Sequence, residues 1–248
     1  MKSVADRMAE SLAKGPIHFT LIDPDKTRGK SAGELAREAE RLGSFAILMG
    51  GSTGITPEIM TEAARSVHQE SSLPVIIFPQ GPESITGEAD ALLFMSLLNS
   101  RSVAHVIRMQ ARASGYIKKL GLEPIPVGYL IVAPGMKVGE VGEADCIERS
   151  DLAGATGYAL AAQYLGMKLL YAEAGSGAPS PVPPPMIREL KSNLSIPLLV
   201  GGGIRTAADV ASVLDAGADA IVTGTIVEKD GKAALGPIVG EVRRRRGG

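Results

Sequence analysis

Cysteine is nearly absent from this chain. Cys146 stands alone, so no disulfide can form within the sequence, a composition that suits a reducing, cytoplasmic setting. Reactive thiols need a recognisable electropositive microenvironment; nothing around Cys146 supports one, and it is not read as a nucleophile. Histidine is scarce too. His18, His68 and His105 fall in different elements without ligand spacing, and metal sites need converging ligands, so all three are read as structural or surface residues. Net charge is almost nil, at −1, which argues against broad attraction to nucleic acid. No apolar stretch approaches the ~20 residues of a membrane span. The N-terminal segment sets Val4, Met8 and Leu12 among charges as an amphipathic helix and lacks the apolar core of a signal peptide. Membrane contact, if there is any, is peripheral. The basic run at 243–246 closes the last helix and complements its dipole, with contact to anionic lipid left open.

What is present is alternation. Eight short β-like runs, at 17–22, 45–49, 75–78, 91–95, 126–132, 168–171, 197–200 and 220–223, are interleaved with longer helical patterns. Those helices cover 32–42, 57–70, 102–120, 151–165, 185–193 and 207–216, with a last one over 232–246. Alternation of this kind implies parallel strands, and a chain of 248 residues suits one closed (β/α)₈ TIM barrel, residues 1–248 as a single domain. The third crossover is the exception. Pro79-Gln80-Gly81-Pro82-Glu83 and the residues after it are too short and too broken for a full helix, so the third helix is expected to be missing or replaced. The segment 133–150, rich in glycine, proline and charge, is long enough to carry function.

The candidate chemistry gathers where strands end. Leu198-Leu199-Val200-Gly201-Gly202-Gly203-Ile204-Arg205 and Ala220-Ile221-Val222-Thr223-Gly224-Thr225 are apolar runs that stop at glycine. Such loops after strands seven and eight build a barrel's phosphate site, because backbone N–H groups can close on an anion there. Ile22-Asp23-Pro24-Asp25-Lys26 puts a carboxylate at the end of the first strand, suited to Mg²⁺ or, equally, to capping the next turn. Met49-Gly50-Gly51-Ser52 ends the second, where Ser52 could add an oxygen to the metal; Thr56 and Pro57 read as the start of the following helix. The run 94–100 is apolar at a face where polar residues are expected, which suits a substrate with a hydrocarbon part or plain core packing. In Tyr171-Ala172-Glu173-Ala174-Gly175-Ser176-Gly177, alternation sends Tyr171 and Glu173 to one side. Glu173, beside a glycine turn, could take a proton from a bound hydroxyl or form a structural ion pair.

Taken in order from 17 to 227, these segments resemble the geranylgeranylglyceryl-phosphate synthase family, prenyltransferases that make the first ether bond of archaeal lipids and that include bacterial heptaprenylglyceryl-phosphate synthases. The resemblance is carried by Thr20 to Lys26, Gly50-Gly51-Ser52-Thr53-Gly54, the run 94–100, Gly128-Tyr129-Leu130-Ile131-Val132, the stretch from Tyr171 to Pro179, and the two glycine loops. It implies a Mg²⁺-dependent transfer of a long prenyl group from its diphosphate to sn-glycerol 1-phosphate, geranylgeranyl in the archaeal branch and heptaprenyl as the alternative. Asp23 and Ser52 match the Mg²⁺ positions. Tyr171, Ala172, Glu173, Ala174, Gly175, Ser176, Gly177, Gly202, Gly203, Gly224 and Thr225 match the sn-glycerol 1-phosphate site, with Glu173 as the catalytic base. Leu21 departs from members that carry a basic residue there, so phosphate contacts must come mostly from the glycine loops. The sequence is closer to the family's larger second group, which implies a homo-oligomer, dimer or hexamer. On the glycine loops alone, another phosphate-binding barrel enzyme (an isomerase or decarboxylase) or a non-catalytic phosphate sensor stays open.

Overall fold

The computed structural model describes residues 2–51, 54–224 and 232–246. Eight parallel strands close into a barrel in chain order. They are β1 (Ile17–Ile22), β2 (Ala46–Met49), β3 (Val75–Ile77), β4 (Ala91–Leu97), β5 (Glu123–Ile131), β6 (Leu169–Glu173), β7 (Leu198–Gly201) and β8 (Ala220–Thr223). Outside them run α2 (Lys30–Leu42), α3 (Pro57–Glu70), α4 (Met109–Leu120), α5 (Met136–Val141), α6 (Leu152–Tyr164), α7 (Pro184–Asn193), α8 (Ala207–Asp215) and α9 (Leu235–Arg245), with α1 (Val4–Leu12) before the first strand. The TIM barrel expected from alternation is therefore present. Thr56 caps α3 and Pro57 opens it, also as expected.

Residue parity along the strands sorts the core into layers. Phe19, Leu48, Ile76, Leu93, Val127, Tyr171 and Leu199 fill the barrel interior. Ile47, Ile77 and Leu92 face α2, α3 and α4, and Leu130, Ala172, Val200 and Ile221 face α6, α7 and α8. Strand β5 starts earlier than its prolines suggested. The Pro126 carbonyl points to the β6 side, where it accepts from Lys168 N–H at 2.9 Å. Its missing N–H lies on that same side, before β6 pairing begins at Val127, so no ladder bond is lost. Helix α1 seals the N-terminal end of the barrel: Val4 and Met8 are buried, and the Glu123 carboxylate accepts from Val4 and Ala5 N–H at 2.6 and 2.9 Å. The basic run beyond it is tied into the fold. Arg245 pairs with Asp215 at 3.0 Å, and Arg246 donates to the Ser11 hydroxyl at 2.7 Å.

The third crossover has no α-helix; a single 3₁₀ turn, Pro82–Ser84, takes its place. The fourth helix departs from regular α geometry, because its first residues, Ala104–Arg108, form a π-helix. His18 is structural: its ring nitrogens meet Ser44 Oγ at 2.8 Å and Thr223 Oγ1 at 2.9 Å, and burial pushes its pKa down to about 3. It stays neutral.

Two helical glycines separate packing from propensity. A Cβ on Gly33 in α2 would overlap the Ser66 carbonyl of α3, whereas one on Gly115 in α4 would meet open space. Gly115→Ala is expected to stabilise the fold by about 0.5–1 kcal/mol, the usual helix gain. Gly33→Ala is expected to destabilise it by about 1–3 kcal/mol, as overpacking does. Denaturant melts of the two variants check this; a stabilising Gly33→Ala contradicts the packing.

Candidate active site

At the C-terminal mouth of the barrel one cavity collects Asp23, Tyr129, Lys137, Tyr171, Glu173 and Ser176. Its lower part is apolar. Leu92 and Phe94, from the helix-facing side of β4, join Leu93 and Leu97 from the interior side, with Ile85, Met109, Ala113 and Ile117 completing the wall. Both faces of β4 can line one cavity because no third helix covers the strand. The short α5 and the turn after it add Val138, Val141 and Gly142 to the rim, so the 133–150 segment does take part in the site.

Glu173 ends β6 and is 6% exposed. Its Oε1 accepts from Gly175 N–H at 2.8 Å, and its carboxylate accepts the Tyr171 hydroxyl two residues back along the same face. Burial raises its pKa above the usual carboxylate value, and those two hydrogen bonds pull against the shift. Two neighbouring glycines are fixed by this carboxylate and its tyrosine. A Cβ on Gly201 would overlap the Tyr171 hydroxyl, and one on Gly202 would overlap Glu173 Oε1. Gly175, Gly177, Gly202 and Gly203 all have positive φ, between 73° and 99°, so these turns favour glycine on backbone grounds too. Tyr171 packs against Tyr129 and Phe78, with ring centroids 5.1 and 6.0 Å away.

Asp23 sits in a gap left by Gly51, whose missing Cβ would overlap the carboxylate. Asp23 Oδ2 is 3.1 Å from Lys26 Nζ, and Oδ1 accepts from Asp25 N–H at 3.1 Å. Asp23 therefore caps the turn, as one of its two readings had it, and also lines the cavity. Among the described residues no group of three or more His, Cys, Asp or Glu could hold a metal ion. Ser52 and Thr225 lie outside the described residues. Ala172 and Ala174 turn their side chains into the helix-facing core. Gly224 abuts Leu21, and Gly203 abuts Ser180.

Sequence reading missed Tyr129, Lys137 and His105 as cavity-lining residues. Tyr129 was recoverable: it is in register with Tyr171 across β5 and β6, with the same parity as interior Val127. Lys137 and His105 carried no such signal, since a short helix and a π-turn set their direction. Cys146 is part-buried, and desolvation raises its thiol pKa, the opposite of what a nucleophile needs.

A model of the PcrB family matches residues 9–241. The chain belongs to the PcrB family. Among relatives of this PcrB-family chain, the geranylgeranylglyceryl phosphate synthase of Pyrococcus horikoshii is 51% identical over 220 residues, 89% of this chain and 87% of the relative. A solved (S)-3-O-geranylgeranylglyceryl phosphate synthase from Thermoplasma acidophilum, in complex with its substrate sn-glycerol-1-phosphate, superposes with a TM-score of 0.95 at 44% identity, covering 98% of this chain and all of that one. The wild-type synthase of Thermoplasma volcanium gives a TM-score of 0.95 at 40% identity over the full length of both chains.

The raised pKa of Glu173 has a stability consequence. Between the unfolded carboxylate pKa and the higher folded one, the unfolded chain releases a proton that the native chain keeps, so stability falls as pH rises through that window. Glu173→Gln removes this loss. Without substrate, the stability of the Gln variant relative to wild type is expected to grow from pH 4 to pH 8. Urea titrations at both pH values check it; a relative stability that shrinks over the same span contradicts the burial argument.

Proposed function

We propose that this PcrB-family chain is a geranylgeranylglyceryl phosphate synthase, joining sn-glycerol 1-phosphate to geranylgeranyl diphosphate through an ether bond and releasing diphosphate. The observation that carries this reading is a buried carboxylate with a raised pKa, between a glycine cradle and a deep apolar cavity. A phosphosugar isomerase has no use for such a cavity, and a sensor has none for a proton acceptor. The relative solved with sn-glycerol 1-phosphate supports the acceptor.

In this reading the acceptor phosphate lies against the glycine turns at 175–177, 202–203 and 224, and its free hydroxyl reaches Glu173. The prenyl chain runs over β4 toward α4, with its diphosphate at the Asp23 end. As the hydroxyl oxygen forms its bond to the allylic carbon, the carbon–oxygen bond to diphosphate breaks and its electron pair leaves with the diphosphate. Glu173 takes the hydroxyl proton, a transfer favoured by a base whose pKa is raised toward working pH. The Tyr171 hydroxyl and Gly175 N–H hold the carboxylate in one orientation throughout. Placing both substrates in line lowers the entropic part of the barrier.

The residues around Asp23 fit Mg²⁺ brought in with its substrate rather than caged by protein alone. Mg²⁺ commonly takes one or two carboxylates and completes its shell with substrate phosphates and water. Asp23 would hold it, exchanging Lys26 for the ion. When bound, the ion neutralises charge on the departing diphosphate.

The test is incubation with sn-glycerol 1-phosphate, Mg²⁺ and C15, C20 or C35 prenyl diphosphates, with products read by mass spectrometry. The C20 ether is expected to dominate; a dominant C35 ether moves the chain to heptaprenyl transfer, and no ether from any donor overturns the reading. Asp23→Asn is expected to cut turnover at limiting Mg²⁺ by at least ~100-fold, since even outer-shell partners of metals cost up to that much. Near-normal rates at limiting Mg²⁺ remove Asp23 from the metal.

A further inference from the structure

The loop from β6 to α7 is poor in backbone donors. It carries Gly175 and Gly177 with positive φ and three residues without an N–H, Pro179, Pro181 and Pro183. Such a segment has few donors with which to build its own ladder. One internal hydrogen bond runs from Ala178 N–H to the Gly175 carbonyl, at 3.0 Å. Two guanidinium groups from neighbouring loops bind its carbonyls instead. Arg205 Nη2 donates to the Gly177 and Ala178 carbonyls at 2.9 and 2.7 Å. Arg149 Nη2 donates to the Pro181 carbonyl at 2.7 Å, while its Nη1 donates to the Ala133 carbonyl at 3.2 Å.

Arg149 comes from the loop after β5 and Arg205 from the loop after β7, so the β6 loop is pinned from both sides. The anchor of Arg205 is itself rigid. Its backbone N–H donates to Asp209 at 3.0 Å, beside the reciprocal Thr206 and Asp209 capping box that opens α8. An isolated surface arginine wanders; one nitrogen bridging two consecutive carbonyls from a fixed backbone does not. What the loop positions is the glycine turn at 175–177, whose first N–H also holds Glu173.

We infer that Arg149 and Arg205 are positioning residues for the acceptor-phosphate turn: Arg205 holds the turn itself at the Gly177 and Ala178 carbonyls, and Arg149 ties down the chain that leaves it at Pro181, neither touching the reacting atoms. The inference rests on the proposed placement of the acceptor phosphate against the glycine turns.

The test is steady-state kinetics of Arg205→Met and Arg149→Met, with Gly202→Val as the reference for the cradle. Each Arg variant is expected to raise KM for sn-glycerol 1-phosphate roughly tenfold, the scale of losing charge-assisted hydrogen bonds. Their kcat at saturating acceptor is expected to stay within about threefold of wild type, and KM for the prenyl diphosphate to stay unchanged, as for loss of uniform acceptor binding. If Gly202→Val raises the acceptor KM while both Arg variants leave it unmoved, the positioning role is overturned and the cradle stands. If none of the three moves it, the phosphate placement falls and takes this inference with it. Equal loss of affinity for both substrates marks Arg149 and Arg205 as general structural supports and also overturns the proposal. Should Arg205→Met fail to fold, Arg149→Met, anchored on a different loop, still decides.

Discussion

A carboxylate sealed from water must be solvated by protein, and in this barrel that single demand arranges the residues around it. Desolvating an ionised carboxylate costs several kcal/mol even after relaxation, roughly the scale of a small domain's whole stability. The Tyr171 hydroxyl and Gly175 N–H offset part of that cost for Glu173. Tyr171 is fixed in turn by edge and tilted contacts with Phe78 and Tyr129. Gly201 and Gly202 have no Cβ because the space is taken by the Tyr171 hydroxyl and the carboxylate. The glycine run after β7 thus has an origin in packing, the room it leaves for Tyr171 and Glu173, beside the close approach to an anion that the proposed function asks of it.

The second organising feature is a helix the chain does not build. Replacing the third crossover helix by one 3₁₀ turn leaves β4 without a helix over it on the side toward α3. Apolar side chains that would otherwise pack under a helix then line a cavity with Leu92, Phe94, Ala113 and Ile117. In a folded protein, a deep apolar cavity open to a polar mouth forgoes packing contacts. That loss is explained if a hydrocarbon chain completes the packing when bound. The π-helix at Ala104–Arg108 lies at the edge of this cavity, where a regular helix would direct Met109 and Gln110 elsewhere.

Much of this was legible in the sequence because the signals were local. The strand and helix alternation, the interrupted third crossover, the Thr56 cap and the shared face of Tyr171 and Glu173 all follow from residue spacing. The glycine turns were legible as turns, and four of their glycines have positive φ. What the sequence did not disclose depends on distant residues meeting. Asp23 could be read only as Mg²⁺ ligand or turn cap, and spacing did not show that its carboxylate fits against Gly51, pairs with Lys26 and caps the turn at once. The clash that would follow a Cβ at Gly202 depends on a carboxylate in another strand. Lys137 enters the cavity through a short helix whose direction no periodicity encodes. The pairing of Arg149 and Arg205 with the β6 loop crosses more than twenty residues in each case. His105 read as a structural or surface histidine, and the π-turn carries it to the cavity wall.

The account stands on Glu173 as the proton acceptor. The most direct measurement is single-turnover ether formation by Glu173→Gln, with sn-glycerol 1-phosphate and geranylgeranyl diphosphate both saturating. Glutamine keeps the shape and one acceptor oxygen but takes no proton, so the rate is predicted to fall by roughly 10²–10⁴, the span of general acid–base catalysis. A rate within a few-fold of wild type would contradict the account and leave Glu173 a positioning role at most.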